Sequence, residues 1–210
     1  MSTALLDHPA QNQSAVAIGY DDTILGRIDD PAVQLALWRR PRPPSLYWLD
    51  TLEWASVDSI DTTVEGPKFG RQIAQLLRDA GYKQAGQTVA LAEEISARAS
   101  QFAKLMTTDR LRLRLEVIET DACRKFHMDY VTARLLMPLS GPGTQWKAAD
   151  ENAPVHQLEA GNVCILKGRL RVEDPAILHR SPPVAHTGET RLLLVLDPAK
   201  NADMSVNLRK

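Results

Sequence analysis

Hydrophobic positions follow two different rhythms along the chain, and the change falls at Asp109. Before it, apolar residues recur at helical spacing. Gly66-Pro67 opens a predicted helix whose stripe is Ile73, Leu76, Leu77 and Ala80, and Gly81 ends it. A longer helix is predicted over 88–106, with Leu91, Ile95, Phe102 and Leu105 on one face. Ser45 is positioned to cap a third helix reaching to about residue 56, burying Leu46, Leu49, Leu52 and Trp48. Residues 33–38 read as a short strand, stopped by Pro41-Arg42-Pro43-Pro44. Residues 1–25 are polar and lack a period, so they read as a loose leader.

After Asp109 the period drops to two. Arg110-Leu111-Arg112-Leu113-Arg114-Leu115-Glu116-Val117 alternates strictly, as a strand with one buried face does. Further strands are predicted at 126–137, 155–158, 163–166, 176–179 and 191–197, and Gly141-Pro142-Gly143 and the segments 150–154, 159–161 and 182–188 supply turns. Many short strands separated by turns make a sandwich or barrel. The expected fold is therefore α+β: a single domain with a mainly helical layer over 26–108, an antiparallel jelly-roll core over 109–198 and a tail over 199–210. The helices should cover the outer face of one sheet, because a bare sheet face needs burial.

Composition narrows the functional classes. With 44% hydrophobic and 24% charged residues the chain can bury a sizeable core. Its 25 basic and 26 acidic side chains nearly cancel, which argues against binding nucleic acid or an anionic membrane through bulk charge. No secretory signal and no apolar run of membrane-spanning length is visible, and two cysteines are too few for a disulfide scaffold. A cytoplasmic protein is the expectation; its oligomeric state is left open.

Chemistry concentrates in the second half, in His127-Met128-Asp129, His179 and Arg191. Residues two apart on a strand share a face, so His127 and Asp129 should project together with Val131, Ala133 and Leu135, leaving Tyr130 and Arg134 on the far side. Burying a histidine and a carboxylate over an apolar lining is costly unless something pairs with them, and a divalent metal would. Two histidines and one carboxylate are the facial ligand set for non-haem Fe(II). His186 competes with His179 as third ligand, but the short span from His186 to Arg191 favours His179. Arg191 shares a face with Leu193 and Val195 and could hold a carboxylate with its two-pronged guanidinium.

Blander readings stand beside these. His127 and Asp129 could be a structural pair, and Arg191 a strand-edge charge near Glu189. Arg110, Arg112 and Arg114 read as a solvated or sheet-covering face, and one of them could still bind an acidic substrate. Cys123 and Cys164 could join the histidines at a zinc site, although no Cys-x-x-Cys supports it and Cys164 reads as a small core residue. Gly141-Pro142-Gly143-Thr144 lacks the lysine of a phosphate loop and reads as a turn. Trp146 lines the pocket mouth or caps the core.

The ordered His-x-Asp … His … Arg set over roughly 109–198 resembles the Fe(II)/2-oxoglutarate-dependent dioxygenases. The resemblance implies a double-stranded β-helix (cupin-like jelly roll), Fe(II) and 2-oxoglutarate as cofactors, His127, Asp129 and His179 as iron ligands, and Arg191 as the anchor for the distal carboxylate of 2-oxoglutarate. It leaves the substrate, a small molecule or peptide, unspecified. A cupin-like protein binding zinc or another metal without turnover is the alternative. Cys123-Arg124-Lys125-Phe126-His127-Met128-Asp129, Ser140-Gly141-Pro142-Gly143-Thr144 and His179-Arg180-Ser181-Pro182-Pro183 also resemble the bacterial family DUF1826, which implies no activity.

Overall fold

The computed structural model describes residues 15–121, 124–185 and 187–199. In chain order they form β1 (Val16–Gly19), β2 (Leu35–Trp38), β3 (Ile60–Glu65), α1 (Phe69–Asp79), α2 (Ala85–Leu105), β4 (Arg110–Ile118), β5 (Ala133–Ser140), β6 (Gln145–Ala148), β7 (His156–Gln157), β8 (Val163–Lys167), β9 (Ile177–Arg180) and β10 (Arg191–Pro198). Short 3-10 helices lie at Asp22–Asp29, Pro44–Thr51 and Trp54–Ser56. No described helix is long and apolar enough to cross a membrane.

The strands make two sheets. The larger has seven strands in the order β1-β2-β8-β5-β10-β4-β3, and the smaller has three in the order β7-β6-β9. Every described pairing is antiparallel except β1 with β2. The alternation of β4 is used as its sequence suggests. Leu111, Leu113 and Leu115 enter the main core with Ile73 and Leu77 of α1 and Leu91, Ile95 and Phe102 of α2. β10 is apolar without alternation because it is buried on both faces. Leu192, Leu194 and Leu196 meet the helical layer, whereas Leu193 and Val195 join Leu136, Trp146 and Ile177 in a second cluster. Each fully buried leucine, isoleucine or phenylalanine contributes about 1.5–3 kcal/mol. The large sheet is thus clamped from behind by helices and offers its other face to the small sheet.

Several local expectations are corrected. The leader ends earlier than residue 25: β1 and the first 3-10 helix occupy its second part, and residues 1–14 lie outside the described residues, as does the tail from 200. The strand expected at 33–38 is β2, but the first half is still less helical than its pattern suggests, since β3 also adds to the large sheet. β3 and β6 escaped the sequence reading because each is short and carries few apolar residues. The helix predicted from Ser45 is two 3-10 segments instead. Pro43 and Pro44 enter it with no side-chain cap, and the buried Leu46 and Leu49 match three residues per turn.

The strand predicted over 126–137 matters most. It does not run through: residues 130–132 bend, and the chain passes from a bridge with the small sheet at His127 to the large sheet at Ala133. Face alternation therefore fails across the break. Ala133 and Leu135 point to the helical core and not to the ligand side, while Arg134 points to the ligand side.

Candidate metal centre

His127 and His179 are directly opposite each other in an antiparallel bridge, each donating its backbone N–H to the other's carbonyl at 3.0 Å. Residues paired in this way carry their side chains on the same face. Their ring centroids are accordingly 4.6 Å apart. Asp129 follows two residues after His127. Its carbonyl accepts from the Arg169 N–H at 2.9 Å, which seats the 129–131 bend on the end of β8. Gly168 permits that approach: a Cβ there would sit 2.0 Å from the Val131 carbonyl oxygen.

The three side chains converge. One ligand atom from each lies within 4.8 Å of the others, with His127 and Asp129 half-buried and His179 buried. His127 Nε2 is 3.5 Å from Asp129 Oδ1, and His179 Nε2 is 2.9 Å from Asp129 Oδ2. His127 Nδ1 donates to the Lys125 carbonyl at 2.9 Å, so Nε2 is the ring nitrogen that faces Asp129. Burial alone would raise the Asp129 pKa. The contacts with His127 and His179 and the charges of His179 and Arg134 outweigh it, and the carboxyl lies below the ordinary carboxylate range. The adjacent Asp129 carboxylate in turn raises the His127 pKa.

Arg134 is the site residue that the sequence reading placed on the wrong face. Its Nη1 lies 2.6 Å from Asp129 Oδ2. Its Nε and Nη2 donate to the two oxygens of Asp197 at 2.7 and 2.8 Å. Arg114 also reaches Asp197, at 3.2 Å, and Glu116, at 3.0 Å. Of the three arginines on β4, Arg110 and Arg112 pair with Glu65 and Asp61, whereas Arg114 lines the cavity. No signal local to residue 134 gives this away, because it depends on the bend at 130–132.

A cavity of about 590 Å³ opens on the triad. Leu136, Leu193, Val195 and Ile118 form apolar wall, and Thr144, Arg180 and Arg134 add polar groups. Arg191 is not among the lining residues. It is 1% exposed, and lies two residues along β10 from Leu193. Its Nε donates to the Pro142 carbonyl, while Nη1 and Nη2 are buried with no partner. The 141–144 turn lies against it: Gly141 takes φ +73°, and a Cβ there would meet Arg191 Cγ at 3.2 Å. Burial pulls the Arg191 pKa down to about 10, with Glu116 opposing. Arg191 is thus a buried cation outside the cavity lining, with two nitrogens that have no hydrogen-bond partner.

The remaining candidates fall elsewhere. His186 and Cys123 lie outside the described residues. Trp146 is core, stacked on His156 with centroids 4.3 Å apart. Lys167 donates to the Asp30 carbonyl at 2.6 Å and pins the first 3-10 helix. Cys164 is buried in the second cluster, where burial pushes its thiol up to about 12. It should resist a thiol-alkylating reagent in the native protein and react once denatured, which peptide-resolved mass spectrometry checks; native labelling would contradict its placement.

These features define a mixed α/β protein with a seven-stranded and a three-stranded sheet and a His-Asp-His cluster at a cavity, similar in fold to a plant dioxygenase. The dioxygenase for auxin oxidation 1 from Arabidopsis thaliana, solved as its 2-oxoglutarate complex, is 10% identical, with a TM-score of 0.50 over 90% of this chain and 93% of that one. A Pseudomonas putida prolyl-4-hydroxylase is 10% identical, with a TM-score of 0.48 over 85% and 98%. The rice dioxygenase for auxin oxidation is 13% identical, with a TM-score of 0.46 over 85% and 78%. The chain belongs to the family described as "Protein of unknown function (DUF1826)", whose model matches residues 19–197. No curated protein matches it.

Proposed function

We propose that this protein is an Fe(II)- and 2-oxoglutarate-dependent oxygenase acting on a small molecule or peptide, built on a double-stranded β-helix. The observation that carries the reading is the convergence of His127, Asp129 and His179 on the lining of one cavity. Two imidazoles and one carboxylate suit Fe(II) and leave coordination positions open. His127 and His179 would bind through Nε2 and Asp129 through a carboxylate oxygen. Iron held there would supply oxidation of a C–H bond by molecular oxygen, coupled to conversion of 2-oxoglutarate to succinate and carbon dioxide.

The chain's own residues would prepare that chemistry. The Lys125 carbonyl fixes the His127 tautomer, and the bridge between His127 and His179 sets their spacing. Leu136, Leu193 and Val195 would give the reacting side of the cavity an apolar lining. Arg191 would take the distal carboxylate of 2-oxoglutarate on its two unpartnered nitrogens, which a two-oxygen acceptor fits. Thr144, two residues after the Pro142 carbonyl that holds Arg191, lines the cavity and links that turn to the site.

One observation favours a second reading. Arg191 is not among the residues that line the cavity, and a protein that binds zinc or another metal without turnover needs no arginine there. Succinate formation separates the two. The protein loaded with Fe(II) and given 2-oxoglutarate in air should release succinate slowly even without its substrate. Folded, iron-loaded protein that releases none would contradict the oxygenase and leave the metal-binding reading.

A further inference from the structure

Asp129 is held in an unusual way. It sits on irregular backbone, between a single-residue bridge at His127 and the bend at 130–132. Its Oδ2 is buried and makes no aligned hydrogen bond, being held by close ion pairs with Arg134 and His179. Arg134, by contrast, stands on β5 in the middle of the large sheet. Asp197 on the neighbouring β10 grips two of its nitrogens, and Arg114 on β4 braces Asp197 from the other side. Only Nη1 of the Arg134 fork is left over, and it lies on Asp129 Oδ2. A three-strand network therefore reaches out to the carboxylate of a residue that stands outside any strand.

His179 Nε2 shares Oδ2 with Arg134, but Nε2 is also the atom His179 would turn on a metal. A bound cation takes that contact away and leaves Oδ2 with Arg134. We propose that Arg134 is a positioning residue for the metal centre: it holds Asp129 Oδ2, so that the carboxylate meets a divalent cation through Oδ1 alone. The inference rests on the reading of His127, Asp129 and His179 as metal ligands. Its consequence is for that reading's chemistry, because a carboxylate that spends one oxygen leaves a further coordination position for a chelating 2-oxo acid. Asp197 takes part at one remove, by fixing Arg134.

The test uses the full chain and Co(II), whose visible spectrum reports the number and kind of its ligands. In Arg134→Gln the Co(II) spectrum should change and the affinity fall about tenfold, the range for losing a partner that orients a ligand. Arg134→Lys keeps the charge but loses the fork, and its Co(II) spectrum should also depart from wild type. Should Arg134→Gln fail to fold with Asp197 left unpaired, the double variant Arg134→Gln/Asp197→Asn removes that charge and is read in the same way. A changed spectrum in variants that melt normally without metal supports the inference. An unchanged Co(II) spectrum in folded Arg134→Gln or in the double variant, with or without weaker affinity, overturns it while leaving the metal centre standing. Failure of the wild-type protein to bind Co(II) overturns both.

Discussion

Replacing Asp129 by alanine should abolish useful metal binding while leaving the protein folded. Asp129 supplies the only carboxylate of the triad. Losing a ligand bond worth even about 3 kcal/mol lowers affinity about a hundredfold, and here the two remaining imidazoles lose the group between them. The fold should tolerate the change, because Arg134 keeps both of its bonds to Asp197. The cost without metal should be about 2 kcal/mol, the scale of one hydrogen bond to a charged group. It should also depend on pH. The fold holds the Asp129 carboxyl below its ordinary value. Its contribution is therefore complete above the unfolded pKa, about 4, and fades as acid protonates it. Co(II) titration and thermal melts of Asp129→Ala at neutral and acid pH check both statements. Wild-type affinity in the variant would remove the triad from the account.

The second large effect is a trade of stability against binding at Arg191. A cation at 1% exposure with two unpartnered nitrogens is expensive to bury. Arg191→Met keeps the length of the side chain and removes the charge. The metal-free variant should be at least as stable as wild type, by up to about 1–2 kcal/mol, since apolar replacements of buried charge are often stabilising. Metal affinity should be nearly unchanged, because Arg191 touches none of the triad. Binding of 2-oxoglutarate to the Co(II)-loaded protein should fall about a hundredfold or more, the usual cost of truncating one partner of a buried charge pair. Calorimetry measures all three quantities. A variant that is less stable and binds 2-oxoglutarate as before would make Arg191 a structural residue.

Parts of this arrangement are written in local sequence and parts are not. The alternation at 110–117 gives β4, and the stripes around Ile73 and Leu91 give α1 and α2, because each element buries one face. The convergence of His127 with Asp129 was legible from their spacing of two, although the strand meant to carry them is broken. His179 is brought in by a bridge between distant segments, which no local pattern encodes. Arg134 was hidden for the same reason in sharper form: a bend of three residues reverses every face assignment that follows it. Arg191 was found as a residue but not in its place, since its seat outside the cavity lining depends on the Gly141 turn packing over it.

The central claim is that His127, Asp129 and His179 hold Fe(II) in a form that a 2-oxo acid can chelate. Anaerobic titration of the protein with Fe(II) and 2-oxoglutarate tests it most directly. A visible metal–keto-acid absorption band is expected in the wild type, saturating at one equivalent of each; Asp129→Ala should give none, and Arg191→Met should reach it only at about a hundredfold higher 2-oxoglutarate. Folded wild-type protein that gives no such band with both components in excess would contradict it.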